Sequence, residues 1–132
     1  MSDDLDARQI ERLRNTMRQR AGQLREEIRQ TLLKSDEEQY LQIADQVRDI
    51  EAESFADLMV DVNLAEIDRD LDELRLIDAA MVRMGDGSYG RCEECESPIE
   101  MERLDATPFA SRCFDCQSTY ERTHYQKTGR TL

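Results

Sequence analysis

A mainly α-helical chain is predicted here: a long antiparallel helical hairpin, then a small C-terminal module with a terminal helix. Three features predict it. Charged residues fill 36% of the 132 positions and aromatics 5%, with no Trp, two Pro and five Gly, a balance that suits long helices better than a thick core. Two separate stretches carry apolar residues at helical spacing, and all four cysteines fall between residues 92 and 116.

The first stripe runs Ile10, Leu13, Met17, Ala21, Leu24, Ile28, Leu32, with steps of 3 and 4 that keep one helix face apolar. Arg, Glu and Gln, all good helix formers, fill the other faces. The second stripe is Leu64, Ile67, Leu71, Leu74, Ile77, Met81, Met84. Antiparallel partners on two such stripes have a nearly constant index sum. Met17 with Met81, Ala21 with Ile77 and Leu24 with Leu74 give 98. Ile28 with Leu71, Leu32 with Ile67, Leu41 with Leu58 and Ala44 with Phe55 give 99. The register predicts a coiled coil over 1–84 with a turn near Asp49 and Ile50 and arms of about 35 residues, roughly 50 Å long. Ser35-Asp36-Glu37-Glu38 matches a capping box and marks a candidate break in the first arm. Gly85-Asp86-Gly87-Ser88 ends the second. Residues 85–132 form the second predicted domain.

Charge narrows the function. The net −12 is concentrated in residues 36–62, where nine acidic groups face one Arg for a net of −8, while residues 1–35 sum to +2. Duplex DNA is bound through clustered positive charge, so no direct DNA binding is expected. The acidic tip, near 45–57, suits a basic protein surface or a metal ion. No apolar run is long enough to span a bilayer, and the charged N-terminus is unlike a signal peptide. A cytoplasmic location without membrane contact is expected. An intramolecular hairpin covers its own stripe and predicts a monomer.

The cysteines form two Cys-x-x-Cys pairs, Cys92/Cys95 and Cys113/Cys116, with seventeen residues between them. In a reducing compartment this spacing points to one tetrahedral zinc ahead of disulfides, redox chemistry or an iron–sulfur cluster. Four thiolates close the coordination shell, leaving no position for a catalytic water, so the predicted Zn²⁺ is structural. A module this short needs such a staple, and zinc contributes on the order of 10 kcal/mol to folding in comparable modules. CFDCQSTYERTHYQ reads as the terminal helix, with Phe114 and Tyr120 available for packing. His124, the single histidine, is redundant as a ligand and expected at the surface. No nucleophile constellation or phosphate-binding loop occurs, and no enzyme activity is expected.

YGRCEECESPIEMERLDATPFASRCFDCQSTYE resembles the C4 zinc-finger signature of the DksA/TraR family of bacterial transcription regulators. The resemblance is carried by Tyr89, Gly90, Cys92, Cys95, Ile99, Arg103, Leu104, Ala106, Pro108, Ala110, Cys113, Cys116 and Glu121. It implies a four-cysteine zinc-finger module beside a coiled coil that binds RNA polymerase directly. The coil enters the enzyme's secondary channel, and acidic tip residues, here Asp45, Asp49, Glu51 and Glu53, act near the catalytic metal.

The chain departs from the family pattern in three places. Of the family's Asp-x-x-Asp-x-Ala tip, Asp49 fits the first position, while Ala52 and Ser54 occupy the others. Basic side chains that answer guanosine tetraphosphate are replaced by Leu76, Thr107 and Gln117. Glu96 stands where Gly commonly follows the second Cys; a left-handed backbone there would cost ~1 kcal/mol. A zinc-stabilised coiled-coil adaptor for another protein partner is the alternative reading, and a nucleic-acid-binding finger a third.

Overall fold

The computed structural model describes residues 5–48, 50, 52–60, 62 and 64–127, with the backbone alone at 52, 53 and 125–127. Its helices are α1 (Ala7–Leu33), α2 (Glu38–Gln46), α3 (Ala52–Met59), α4 (Ala65–Asp86), α5 (Met101–Ala106) and α6 (Phe114–Lys127). Among the described residues the one extended pairing is an isolated antiparallel bridge between Arg91 and Pro98. The fold is thus mainly α. It divides into two compact units, Asn15–Asp78 and Met1–Arg14 with Ala79–Leu132.

In the first unit α1 and α4 form the antiparallel hairpin. Leu24, Ile28 and Leu32 are buried, as are Ile67, Leu71, Leu74 and Ile77, the partners that the index sums pair. Along the flank Arg20 donates two hydrogen bonds to Glu73, at 2.6 and 3.0 Å. Further along, Glu27 lies close enough to Asp70 to raise its pKa. Partner numbers fall as α1 numbers rise, which is the antiparallel sense.

Beyond Leu33 the chain departs from the expected straight arms. The N–H of Glu37 bonds the Ser35 hydroxyl at 3.0 Å, and α2 begins at Glu38, where the capping-box pattern marked a break. Arg48 of the following turn then meets Glu26 of α1 at 2.7 Å. In an unbroken helix those residues would lie ~33 Å apart. The chain therefore reverses at 34–37, and α2 returns along α1.

Burial accounts for the reversal. Tyr40, Ala44 and Val47 on one side and Phe55, Met59 and Val62 on the other become buried, whereas Leu41 and Leu58, expected in the seam, are half-buried. Tyr40 with Met59 and Ala44 with Phe55 still sum to 99. Tyr40 and Met59 thus take the buried places expected of Leu41 and Leu58, while Ala44 and Phe55 keep theirs.

In the second unit the N-terminus of α1 is closed by a reciprocal cap. Asp6 Oδ1 accepts from the N–H of Gln9 at 2.8 Å, and Gln9 Oε1 accepts from that of Asp6 at 2.9 Å. At the far end of α4, Gly87 takes φ +85°, so that the N–H of Ser88 reaches back to the carbonyl of Arg83 at 3.0 Å. This left-handed cap, rather than Gly85, stops the helix. Leu13, Ala80, Tyr89, Ile99, Leu104 and Ala110 are buried. Met81 and Met84, expected on the stripe, are half-buried, so Ala80 takes the inward place on α4.

Candidate metal centre

Both Cys-x-x-Cys segments are tight turns pinned by backbone hydrogen bonds. Around the first, the N–H of Cys92 bonds the carbonyl of Ser97 at 2.8 Å, and the N–H of Ile99 bonds that of Gly90 at 2.8 Å. Gly90 has φ +87°, and a Cβ there would lie 3.1 Å from Leu5 Cδ1, so glycine serves both backbone and packing. Inside the turn the N–H of Glu96 bonds the carbonyl of Cys92 at 2.9 Å. Closing it puts Glu96 at φ +64°, the left-handed backbone anticipated for a position where glycine is common. The second pair opens α6, where the N–H of Cys116 points at Cys113 Sγ, 3.5 Å away.

Between the pairs, α5 and a short return place the two turns together. The N–H of Glu93 bonds the carbonyl of Ser111 at 2.9 Å, and Arg103 Nε bonds the carbonyl of Arg112 at 2.8 Å. The Tyr89 hydroxyl donates to the carbonyl of Pro108 at 2.7 Å. Arg83 of α4 reaches the carbonyl of Phe109 at 3.2 Å. These bonds leave the four Sγ atoms within 4.8 Å of one another. Cys92 and Cys113 are buried, Cys116 is half-buried and Cys95 is exposed.

Those sulfurs fit one tetrahedral zinc. Zn–S bonds of ~2.3 Å set tetrahedron edges of roughly 3.8 Å, and Cys95 Sγ lies 3.9 Å from Cys113 Sγ. A disulfide needs ~2.05 Å. Electrostatics point the same way. Burial opposes ionisation of Cys92, but the N–H groups of Cys95, Cys113 and Glu94 outweigh it and bring the thiol down to about 6. The Cys116 thiol donates to the Cys113 and Cys92 sulfurs, which holds its proton and pushes Cys116 up. One thiolate forms readily and its neighbours then resist a second charge. A dication in the centre removes that conflict and deprotonates all four.

Arg112, which the sequence reading passed over, is the cage's positive neighbour. Its Nη2 pairs with Glu93 at 2.8 Å and its Nε with Glu94 at 3.3 Å. The available signal was the Cys-Glu-Glu-Cys turn set against an Arg directly before the second pair. Phe114, expected to pack, is 64% exposed. His124 is exposed and stacks on Tyr120 with ring centroids 3.6 Å apart.

The tip residues are less fully described. Asp45 is exposed on α2. Asp49 and Glu51 lie outside the described residues, as does the side chain of Glu53. Leu76 is 47% exposed, Thr107 and Gln117 are half-buried, and Gln117 bonds Glu121 at 3.2 Å.

Residues 87–122, which contain the whole cage, match the prokaryotic dksA/traR C4-type zinc finger, and the zinc is a structural one. The RNA polymerase-binding transcription factor DksA of Caulobacter vibrioides is 31% identical over 120 residues, covering 89% of this chain and 80% of that protein. The protein of the same name from Escherichia coli K12 is 28% identical over 122 residues, covering 92% and 77%. The solution structure of the DnaK suppressor protein from Agrobacterium tumefaciens superposes with a TM-score of 0.56 at 27% identity, covering 83% of this chain and 92% of that one. A likeness that extends from the cysteine cage through the helical hairpin makes this chain a member of the DksA/TraR family.

Proposed function

We propose that this protein regulates transcription by binding RNA polymerase directly. One observation carries the reading: 89% of the chain aligns, at 31% identity, with a factor named for binding that enzyme. In this reading Cys92, Cys95, Cys113 and Cys116 ligate the zinc, and the 85–132 module holds the hairpin of 1–84 in position. The acidic segment, through Asp45, Asp49, Glu51 and Glu53, enters the secondary channel, where a net −8 is attracted to a positively charged, metal-containing cleft. The same charge disfavours DNA, and the protein acts as a monomer without catalysis. Leu76, Thr107 and Gln117 offer no cation to a polyphosphate such as guanosine tetraphosphate.

Copurification with bacterial core RNA polymerase tests this, beside a variant with Asp45, Asp49, Glu51 and Glu53 all changed to Ala. The expected result is binding by both and loss of the transcriptional effect in the variant. Absence of binding by the parent chain refutes the reading. Ala52 and Ser54, at places where relatives carry Asp and Ala, favour the second reading of an adaptor for another protein. Such an adaptor would not compete with other secondary-channel ligands.

A further inference from the structure

Arg48 is the single basic residue among the nine carboxylates of 36–62, and its exposed side chain pairs with Glu26 of α1 at 2.7 Å. One position earlier on α1, Arg25 donates to the carbonyls of Val47 at 3.1 Å and Ile50 at 2.6 Å. The same guanidinium lies 4.8 Å over the Phe55 ring, so one side chain grips the end of α2 and the face of α3. Opposing these ties is charge. The exposed carboxylates of α2, Glu38 and Asp45, belong to a helix that returns along one carrying Glu26 and Glu27, and like charges on neighbouring helices repel.

The connections contain nothing that forces a break. Residues 34–37 read Lys-Ser-Asp-Glu and 60–64 read Val-Asp-Val-Asn-Leu, without Gly or Pro. Glu37, at the start of α2, is extended (φ −84°, ψ 122°), and its side chain makes no capping bond. By index, Tyr40 with Met59 and Ala44 with Phe55 share the sum of the α1–α4 seam, so straightening 34–37 would allow one coiled coil to continue in the same register.

We propose that α2–α3 is a latched arm: Arg25 and the Arg48–Glu26 pair hold it against α1, and docking on RNA polymerase releases it to extend the hairpin. The proposal rests on the polymerase reading for its trigger and on the described contacts for its latch. Released, the arm carries Asp45 outward at the end of a lengthened hairpin. Latched, it keeps the acidic segment withdrawn. A partner that offers positive charge takes over the stabilisation that Arg25 and Arg48 supply, and the equilibrium follows the difference in affinity for the two states.

The test uses the zinc-loaded full chain with spin labels on non-cysteine residues introduced at Gln23 and Gln46, both exposed. The four thiols are then left to the metal. Pulsed electron–electron resonance on the free chain is expected to give a short separation. In Arg25→Ala/Arg48→Ala it should lengthen to ~35 Å, the span of 23 helical residues, with unchanged helical circular dichroism and one zinc per chain. A variant that stays short, or loses helicity instead of lengthening, overturns the latch. A second arm adds bacterial core polymerase. Lengthening in the parent on copurification, with tighter binding by the double variant, supports release. A short separation kept within a copurifying complex refutes release and leaves the polymerase reading intact. Failure to copurify refutes that reading and the trigger together, while the free-chain arm still decides the latch.

Discussion

The Arg112 guanidinium carbon lies 3.8 Å over the ring of Tyr120. Tyr120 belongs to the helix opened by the second cysteine pair, and Arg112 pairs with two glutamates of the first. One cation thus spans both halves of the cage beside four thiolates. Replacing Arg112 with Leu should weaken zinc binding 10- to 100-fold, the usual effect of losing a group that supports ligands from behind. Arg112→Lys should recover only part, because an ammonium cannot serve both carboxylates and lie flat on the ring. Competition with a chromophoric chelator measures both.

Glu96 occupies a backbone that glycine adopts freely. Glu96→Gly should stabilise the zinc-loaded protein by ~1 kcal/mol, read as a higher midpoint in chemical denaturation. Its carbonyl, which accepts from Arg91 at 3.3 Å, is retained in the variant. A lower midpoint would show that the side chain has a compensating role.

Two carboxyls one turn apart on α4 should respond to pH with opposite signs. Burial, with Glu27 beside it, raises the pKa of Asp70. The hydrogen bonds from Arg20 lower that of Glu73, against burial. The fold therefore favours neutral Asp70, a contribution complete below the ordinary aspartate range and lost as pH rises through the raised value. Glu73 contributes above the ordinary glutamate range and loses it as pH falls through the lowered value. Asp70→Asn should raise the melting temperature at pH 7 and Glu73→Gln should lower it, each by the equivalent of about 0.5 kcal/mol. Both differences should close on acidification, as thermal melts from pH 3 to 7 would record.

Tyr89 offers a check at the alkaline end. Burial pushes its hydroxyl up to about 12, and the bond to Pro108 needs the proton. The fold thus favours the neutral phenol, and that contribution is lost between pH 10 and about 12. Tyr89→Phe should cost ~1 kcal/mol at neutral pH and narrow the gap above pH 10. Its ultraviolet titration should lack the latest phenolate transition.

Removing the metal should unfold the cysteine-bearing unit. The pull of one structural zinc, on the order of 10 kcal/mol, exceeds what its small core supplies. Chelation should expose four reactive thiols and release one zinc per chain. Full helicity retained after metal loss would contradict this.

The cage was legible because cysteine spacing is a local code: two short turns and a return of seventeen residues leave a metal few alternatives. The α1–α4 seam was legible because Leu24, Ile28 and Leu32 recur at the helical period opposite Ile67, Leu71 and Leu74. The reversal at 34–37 was not. A capping box signals a stop, but periodicity is the same whether the next helix continues or doubles back. The deciding contacts are long-range, between Arg25 and Val47 and between Glu26 and Arg48. Arg112 was missed for a related reason, since its partners lie 18 and 19 positions away and nothing periodic connects them.

The metal-bearing unit draws on both ends of the described chain, and Asn15–Asp78 departs from it and returns. Topologically that middle stretch is a cassette spliced into a closed frame. A lineage can shorten, recharge or replace it without altering any cysteine or any group that orients one. Diversity among related proteins should accordingly collect inside the insert, while the frame drifts slowly.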